Sequence, residues 1–296
     1  MKLSLWPHAS RRPAEILDAA RRADADGWFG VWIADHYMPN TGDASVAAGD
    51  VHEAWALLPA IAAVTERVRL GTLVSPTSVH HPALLANRAS TIDHLSDGRM
   101  VLGLGAGWQI NEHAAYGIEL EAPGRRVTRF EEAIRIVRSL LTEERTTFTG
   151  TVYAVHDAPC DPKPVQERLS ILVGTASPRM LRITARHADE WNTWGTPDMA
   201  AEKRAGLVAA CEKVGRDVAT VHCSVNAMVD LDGETPMPGR PALSGSAGQL
   251  VELVGAYAEA GFDEFILPDG NLGDTLAERS DRAARIKAEI FDQLAH

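Results

Sequence analysis

Short apolar runs alternate with amphipathic segments along the whole chain. The first two runs have the length of strands, and the segment between them, from Pro13 to Gly27, repeats apolar residues at helical spacing. The pattern predicts strands at residues 2–6, 28–34, 67–74, 101–104, 171–174, 190–194, 221–229 and 262–267. It predicts helices at residues 13–26, 52–65, 82–95, 130–141, 178–188, 199–214, 249–260 and 276–294.

This alternation is typical of α/β folds, in which each helix crosses between two parallel strands of one sheet. Repeated strand–helix units without a change of composition predict a (β/α)8 TIM barrel that forms a single domain over residues 1–296. Residues 108–168 are interpreted as an insertion after the fourth strand, because an ordinary crossover is much shorter. A doubly wound open sheet is the alternative, since periodicity alone does not show that a sheet closes. Residues 232–246 are rich in Pro and Gly and are expected to form a loop.

The fourth predicted strand runs into a series of glycines. Gly103, Gly105 and Gly107 are spaced two residues apart, so that another backbone or a flat molecule can come close to this face of the chain. Asn111 and Glu112 come directly afterwards, where parallel α/β folds bind their ligands. The alternative is that the glycines serve only tight packing. The dinucleotide-binding fingerprint is a weaker match, because the spacing here is G-x-G-x-G.

Composition and charge limit the classes of function. The chain of 296 residues is long enough for one large barrel, and its formal net charge of −11 argues against binding to nucleic acids or anionic membranes. No apolar run is long enough to cross a membrane, and residues 1–7 lack the apolar core of a signal peptide. We therefore expect a cytoplasmic protein that acts on a small molecule. The three cysteines are too widely spaced for a disulfide framework or a zinc site: Cys160, Cys211 and Cys223.

In a closed barrel the carboxyl ends of all strands meet at one rim, and several polar segments fall there. Asp35 and His36 follow the second strand, and an imidazole can exchange a proton at neutral pH. A loop histidine and a turn-forming aspartate would give the same pattern. The strand that ends at Gly174 leads into a helix with Pro178 in its first turn, where free backbone N–H groups attract phosphate.

A pair of histidines and three tryptophans are further candidates for a site. His80 and His81 are adjacent on an extended loop, where their side chains point apart, and no third ligand is close in sequence, so no metal site is expected. Trp108, Trp191 and Trp194 are candidates for the wall of a pocket that takes a flat substrate, although buried structural aromatic residues fit equally well.

Six segments, in order along the chain, resemble the luciferase-like monooxygenase superfamily and in particular its coenzyme F420-dependent oxidoreductase branch. They are VWIADHY at 31–37, RVRLGTLV at 67–74, HPALLA at 81–86, DGRMVLGLGAGWQINE at 97–112, ARHADEWN at 185–192 and YAEAGFDEF at 257–265. The resemblance implies a barrel of the bacterial luciferase type. Its rim would hold a deazaflavin ring, and the insertion would cover that ring.

The resemblance also implies roles for matching positions. Asp35 would hydrogen-bond to the ring system, and His36 would be the acid or base beside the reacting carbon. Thr72 and Leu73 match the place of a non-prolyl cis peptide bond behind the ring. Further cofactor-contacting positions match Ser75, Ala106, Gly107 and Asn111. A phosphate-holding loop, usually richer in glycine, matches Gly174, Thr175, Ala176, Ser177 and Pro178.

Trp108 departs from the pattern of the branch. The sugar-phosphate dehydrogenase of the branch carries a catalytic glutamate at this position, which argues here against oxidation of glucose 6-phosphate. Trp108 remains a catalytic candidate together with Asp35 and His36.

Three functions remain open from the sequence. The first is an F420-dependent oxidoreductase that transfers a hydride between the deazaflavin and a small organic substrate, with His36 as proton donor or acceptor. The second is an FMN-dependent monooxygenase that uses dioxygen, since the two cofactors differ at ring position 5. The third is a barrel that binds a flavin or another ligand without turnover. Family members often form homodimers, but no seam in this sequence predicts the oligomeric state.

Overall fold

The structure is a computed structural model that describes residues 1–235 and 239–295. Its strands are β1 (Lys2–Trp6), β2 (Gly30–Ile33), β3 (Arg69–Thr72), β4 (Ser75–Pro76), β5 (Met100–Gly105), β6 (Thr146–Thr149), β7 (Ala154–Ala158), β8 (Ser170–Gly174), β9 (Glu190–Trp194), β10 (His222–Asn226), β11 (Met228–Leu231), β12 (Ala242–Gly245) and β13 (Glu264–Pro268). Its α-helices are α1 (Pro13–Ala25), α2 (Ala54–Val64), α3 (Pro82–Leu95), α4 (Ile110–Ala115), α5 (Pro123–Thr142), α6 (Pro178–His187), α7 (Pro197–Val214), α8 (Ala247–Glu259) and α9 (Leu276–Ile286). Shorter helical turns lie at Val218–Thr220, Lys287–Phe291 and Asp292–Ala295.

The main sheet has a strand order that returns on itself. The order is β3-β2-β1-β13-β10-β9-β8-β5-β4, and β3 also pairs with β5. Two further sheets each consist of one pair, β6 with β7 and β11 with β12. The main sheet, with its crossover helices, is that of a (β/α)8 barrel, so the fold-class prediction is confirmed. In the described part of the chain, no helix is both long enough and apolar enough to span a membrane.

The chain divides into two compact units. The first consists of residues 1–8, 14–32 and 175–296, and the second of residues 9–13 and 33–174. The single domain with an insertion at about residues 108–168 stays a prediction. That range contains α4, α5 and the β6–β7 hairpin.

The second unit is built around β5. This strand is buried along its whole length and pairs in parallel with β3, β4 and β8. Helix α3 begins with Pro82, because proline lacks the N–H that a first turn leaves unpaired, and the His81 side chain accepts a backbone N–H of that turn. Arg99 donates to the carbonyl oxygens of Ala62 and Thr65 at the end of α2. The carbonyl groups that the helix leaves open are thereby satisfied.

The first unit has two well-paired strand ladders and an aromatic core. Strand β1 pairs with β13 along its whole length, as β9 does with β10. Trp191 stacks on Phe262, and Tyr257 packs its ring against Phe262 and Phe265. The buried hydroxyl of Tyr257 donates to the carbonyl oxygen of Gly195 at 2.6 Å, so this polar group is satisfied inside the core.

Several predicted elements differ from the structure. The predicted strand at 221–229 is two strands, because β10 pairs with β9 and β13 whereas β11 pairs with β12. The prediction that residues 232–246 form only loop was wrong, since they contain β12; residues 236–238 of that prediction lie outside the described residues. The last predicted helix gives way after Ile286 to a π turn and a 3-10 turn. The two differences that involve strands arise because pairing between distant segments overrides weak local preference.

Candidate functional site

The second unit buries a carboxylate directly after β2. Asp35 is fully buried, and its Oδ2 accepts hydrogen bonds from Trp55 Nε1 at 3.0 Å, from Ser75 Oγ, and from His80 Nε2 at 2.9 Å. Its other oxygen, Oδ1, is buried and has no hydrogen-bond partner among the described residues.

The environment of Asp35 keeps it charged. Burial by itself would raise the pKa of the carboxyl group, but the hydrogen bonds from His80, Ser75 and Trp55 and the interaction with the imidazole outweigh burial and hold the pKa below its ordinary value. An ionised carboxylate accepts hydrogen bonds and donates none. The Oδ1 atom therefore keeps the capacity to accept a further hydrogen bond.

His36 and Tyr37 are held by a second buried carboxylate. Glu112 Oε1 lies 3.1 Å from His36 Nδ1, and Glu112 Oε2 accepts the backbone N–H of Tyr37 at 3.1 Å. The Glu112 side chain is 2 % exposed, whereas that of His36 is 25 % exposed. The imidazole is thus held by a buried anchor and still reachable from outside.

His80 has a place in this site that the sequence did not predict. Its Nε2 lies 3.2 Å from the hydroxyl oxygen of Tyr37 as well as within hydrogen-bond distance of Asp35. Burial, followed by the negative charge of Asp35, raises the pKa of Tyr37, so this hydroxyl stays protonated at neutral pH. The His81 side chain instead accepts a backbone N–H in the first turn of α3. The two adjacent histidines therefore contact different parts of the unit.

The glycines of β5 make room for other atoms of the protein. A Cβ on Gly103 would overlap the carbonyl oxygen of Thr72, and a Cβ on Gly105 would lie 2.7 Å from Val74 Cγ2. The side chain of Val74 also lies against Gly174. The tight-packing alternative therefore accounts for Gly103 and Gly105.

The predicted residues around β3 are brought together with Asp35, and one detail differs. The non-prolyl cis peptide bond joins Leu73 to Val74, so its expected place between Thr72 and Leu73 was wrong by one residue. Thr72 Oγ1 donates to the carbonyl oxygen of Gly103 at 2.8 Å, and Leu73 N donates to that of Ile33 at 2.8 Å. Both side chains are buried.

The segment that follows β5 supports the loop after His36. Gln109 Nε2 donates to the carbonyl oxygen of Met38 at 2.9 Å, and Asn111 Nδ2 donates to that of Pro39 at 2.8 Å. The Oδ1 atom of Asn111 is buried and has no partner among the described residues. It is a second open acceptor in this unit.

Gly107 and its neighbours turn the chain between β5 and α4. Gly107 has a φ of +87°, which side chains rarely tolerate, and Arg126 Nη1 donates to its carbonyl oxygen at 2.6 Å. Ala106 is half-buried beside it. Trp108 is 56 % exposed, and its ring lies edge-on to the ring of His36 with centroids 5.5 Å apart. A large apolar side chain thus borders the reachable imidazole.

The predicted phosphate loop joins β8 to α6. Gly174 is the last residue of β8, and Thr175, Ala176 and Ser177 lead to Pro178, the first residue of α6. Ala176, Ser177 and Pro178 are exposed, and no side chain caps α6. A helix that starts without a side-chain cap is the kind of helix end at which anions bind in proteins.

The sequence placed Asp35, His36 and Asn111 among the candidates but did not assign Glu112, His80 or Trp55 to the site. Glu112 had one signal, its position directly after the glycine series. Trp55 and His80 had none that singled them out, because their contacts with Asp35 join residues 20 and 45 positions apart.

The fold and the site define a class: (β/α)8-barrel proteins with a buried carboxylate and a reachable imidazole after the second strand. Within that class, the chain belongs to the luciferase-like monooxygenase family, whose model matches residues 1–235. The resemblance found in the sequence is therefore confirmed.

Individual relatives agree with this family. An F420-dependent glucose-6-phosphate dehydrogenase from Kineococcus radiotolerans is 36% identical over 178 residues, which are 60% of this chain and 51% of that protein. The match thus spans about half the length of this relative. Among solved structures, an F420-dependent secondary alcohol dehydrogenase in complex with an F420-acetone adduct has a TM-score of 0.83 at 18% identity, with 98% of this chain and 99% of that chain covered. The monooxygenase RslO1 from Streptomyces bottropensis has a TM-score of 0.82 at 22% identity, with 100% of both chains covered.

Proposed function

We propose that this protein is a coenzyme F420-dependent oxidoreductase that passes a hydride between the deazaflavin ring and a small organic substrate. The observation that carries the proposal is the pair of neighbours after β2: the buried, charged Asp35 with an open Oδ1, and the reachable imidazole of His36. Family membership and the named F420-dependent relative support it.

The open acceptors fit a flat heterocycle with ring N–H groups. Asp35 Oδ1 and Asn111 Oδ1 are buried without a partner among the described residues, and an unmade hydrogen bond at such an atom costs about 1–3 kcal/mol. A ring N–H donor removes that cost. We assign Asp35 and Asn111 to hold the ring. The other residues of the ring site are Thr72, Leu73, Ser75, Ala106 and Gly107, and the phosphate is assigned to Gly174, Thr175, Ala176, Ser177 and Pro178.

The coenzyme, when bound, supplies or receives the hydride at its ring carbon. The chain supplies the matching proton. His36 is assigned as the donor or acceptor, because its imidazole is reachable while its Nδ1 is held by Glu112. Water is kept from Asp35 by complete burial, which strengthens its electrostatic contacts.

Trp108 indicates where the substrate binds and what kind of surface it contacts. Its half-exposed indole borders His36, where it offers a flat apolar surface without charge. We therefore propose a small organic substrate with an apolar part that lies on Trp108. Glucose 6-phosphate, the substrate in the name of the Kineococcus relative, is not proposed for this chain.

A second candidate is an FMN-dependent monooxygenase. The open oxygen of Asp35 accepts an N–H from an isoalloxazine as readily as from a deazaflavin, because the two rings differ at position 5. The fold of this chain is similar to that of the monooxygenase RslO1, which is compatible with this second candidate.

Binding and oxidation assays separate the candidates. Purified protein is mixed with reduced F420 and, separately, with reduced FMN, and each is followed by fluorescence with a panel of small carbonyl, enone and imine substrates. The proposal expects tight binding and oxidation of reduced F420, with a loss of turnover of about 10²-fold or more in His36→Ala. Tight binding of FMN alone would favour the monooxygenase, and binding without turnover would favour a ligand-binding barrel. Full turnover in His36→Ala would remove the proton role from His36.

A further inference from the structure

Glu112 is placed to decide which nitrogen of His36 carries the proton. It lies in the first turn of α4, and its two oxygens contact consecutive residues of the loop after β2: Oε1 the Nδ1 atom of His36 and Oε2 the backbone N–H of Tyr37, each at 3.1 Å. The carboxylate is 2 % exposed, so water does not compete for these bonds.

We propose that Glu112 is a positioning residue that holds His36 protonated at Nδ1 and so leaves Nε2 to exchange the proton with the substrate. The reaction that this arrangement serves rests on the proposed function, whereas the tautomer itself does not. Nothing else in the described part of the chain hydrogen-bonds to the His36 ring.

The hydrogen-bond inventory of the two partners leads to this tautomer. A backbone N–H can only donate, so the Tyr37 N–H needs an acceptor at Oε2. When Glu112 is ionised, its Oε1 has no hydrogen to offer, so the donor in this contact is His36 Nδ1. A neutral imidazole that donates from Nδ1 has its lone pair at Nε2, where it accepts a proton when the substrate is oxidised. When the substrate is reduced, the protonated imidazole gives up the proton at Nε2 and keeps the one at Nδ1.

The ring of His36 is also held from a second side. Trp108 lies edge-on to it at an interplanar angle of 84°, with the two ring centroids 5.5 Å apart. The orientation of the ring is thus set by one hydrogen bond and one aromatic contact. Catalytic imidazoles need such fixed orientation, because proton transfer requires hydrogen-bond geometry.

Glu112→Gln gives a sharp prediction for this geometry. Glutamine offers one oxygen and one NH2 group in place of two oxygens. The Tyr37 N–H takes the oxygen, and the NH2 group then faces His36 Nδ1, which must become an acceptor. The substitution should therefore move the proton of the neutral imidazole from Nδ1 to Nε2 with almost no change in side-chain volume.

The test is a long-range 1H–15N correlation spectrum of protein labelled at histidine, recorded without coenzyme. The His36 signals are assigned by their loss in His36→Ala. We expect protonation at Nδ1 in the unsubstituted protein and at Nε2 in Glu112→Gln. The matched control is Glu121→Gln, another buried carboxylate of the same unit, which binds Arg125 and Arg129 and should leave the tautomer unchanged. Protonation at Nε2 in the unsubstituted protein would overturn the proposal even if Glu112→Gln did not fold.

Kinetics then test whether the tautomer matters. With reduced F420 and a substrate found as above, Glu112→Gln should lower kcat by about 10²-fold with little change in the KM for the coenzyme. An unchanged kcat with a reversed tautomer would refute the positioning role. If the unsubstituted protein failed to oxidise reduced F420, the proposed function would fail while the spectra still decided the tautomer.

Discussion

Asp35 shows how three hydrogen-bond donors, one of them an imidazole, keep a buried carboxylate charged. Its Oδ2 receives the indole N–H of Trp55, the hydroxyl of Ser75 and the imidazole of His80. Their combined effect exceeds the penalty of burial, because hydrogen bonds to a charged acceptor are strong inside a protein. In the proposed function, Oδ1 is the atom that accepts a hydrogen bond from the coenzyme ring.

The lowered pKa of Asp35 has a consequence for stability in acid. A carboxyl group with a lower pKa in the folded than in the unfolded state binds fewer protons when folded, so it stabilises the fold fully above its ordinary pKa, and this contribution disappears as the pH falls through the folded-state pKa. In Asp35→Asn the side chain cannot titrate. Its amide has one acceptor oxygen for the three hydrogen-bond donors that surround the carboxylate. We expect the substitution to lower the free energy of unfolding by about 2 kcal/mol at pH 7 and to flatten the part of the acid limb that lies below about pH 5.

Urea unfolding across this pH range measures both effects. Asp43→Asn is the control, because Asp43 is exposed and its pKa is also lowered, by hydrogen bonds from Ser45. Its substitution should change the acid limb much less, since water replaces those bonds. An Asp35→Asn protein with the same pH dependence as the unsubstituted one would contradict the assigned ionisation of Asp35.

At the scale of elements, the contact between β5 and the chain after β3 depends on the absence of side chains. Val74 fills the space that Cβ atoms on Gly105 and Gly174 would approach. Interiors are packed as densely as crystals, so an added methyl group must displace an existing one. These glycines therefore contribute directly to packing, and they affect the site only because packing positions the residues around it.

Gly105→Ala tests this packing. The new Cβ would lie 2.7 Å from Val74 Cγ2, and we expect a loss of about 1–3 kcal/mol in the free energy of unfolding. Val74→Ala removes the opposing methyl groups, so the double variant should be more stable than the sum of the two single changes implies. Denaturant unfolding of the four proteins gives this coupling.

A glycine in open space serves as the control for this pair. Gly248 is exposed near the start of α8 and has nothing within 4 Å of the place of a Cβ, so Gly248→Ala should be neutral or stabilise by up to about 1 kcal/mol. Additive losses in Gly105→Ala and Val74→Ala would show that the two positions do not oppose each other.

At the scale of the whole molecule, the chain holds its fold without covalent crosslinks in the part that the structure describes. Cys160, Cys211 and Cys223 are all free and buried. Burial raises the pKa of each thiol, and that of Cys223 reaches about 12. The reactive thiolate is therefore scarce at neutral pH.

A thiol titration follows from this arrangement. In the folded protein we expect the three cysteines to react with an aromatic disulfide reagent far more slowly than free cysteine does, because each must first be exposed. After unfolding in denaturant without reductant, all three should react at once. Fewer than three reactive thiols in denaturant, or fast reaction before unfolding, would contradict the arrangement.

The sequence by itself determined the elements and part of the site. Strands β1 and β9 begin and end where the pattern predicts, because apolar runs bounded by turn residues are a local signal. Their alternation with helices also predicted the barrel. Asp35 and His36 could be named because the carboxyl end of a parallel strand is readable from the strand itself.

Only the tertiary structure decided which side chains meet. Glu112 reaches His36 across 76 residues, His80 reaches Asp35 across 45, and β12 pairs with β11 despite a loop-like sequence. The physical reason is the same in each case. A hydrogen bond between distant segments depends on where the intervening chain returns, and periodicity within a short window carries no information about that return.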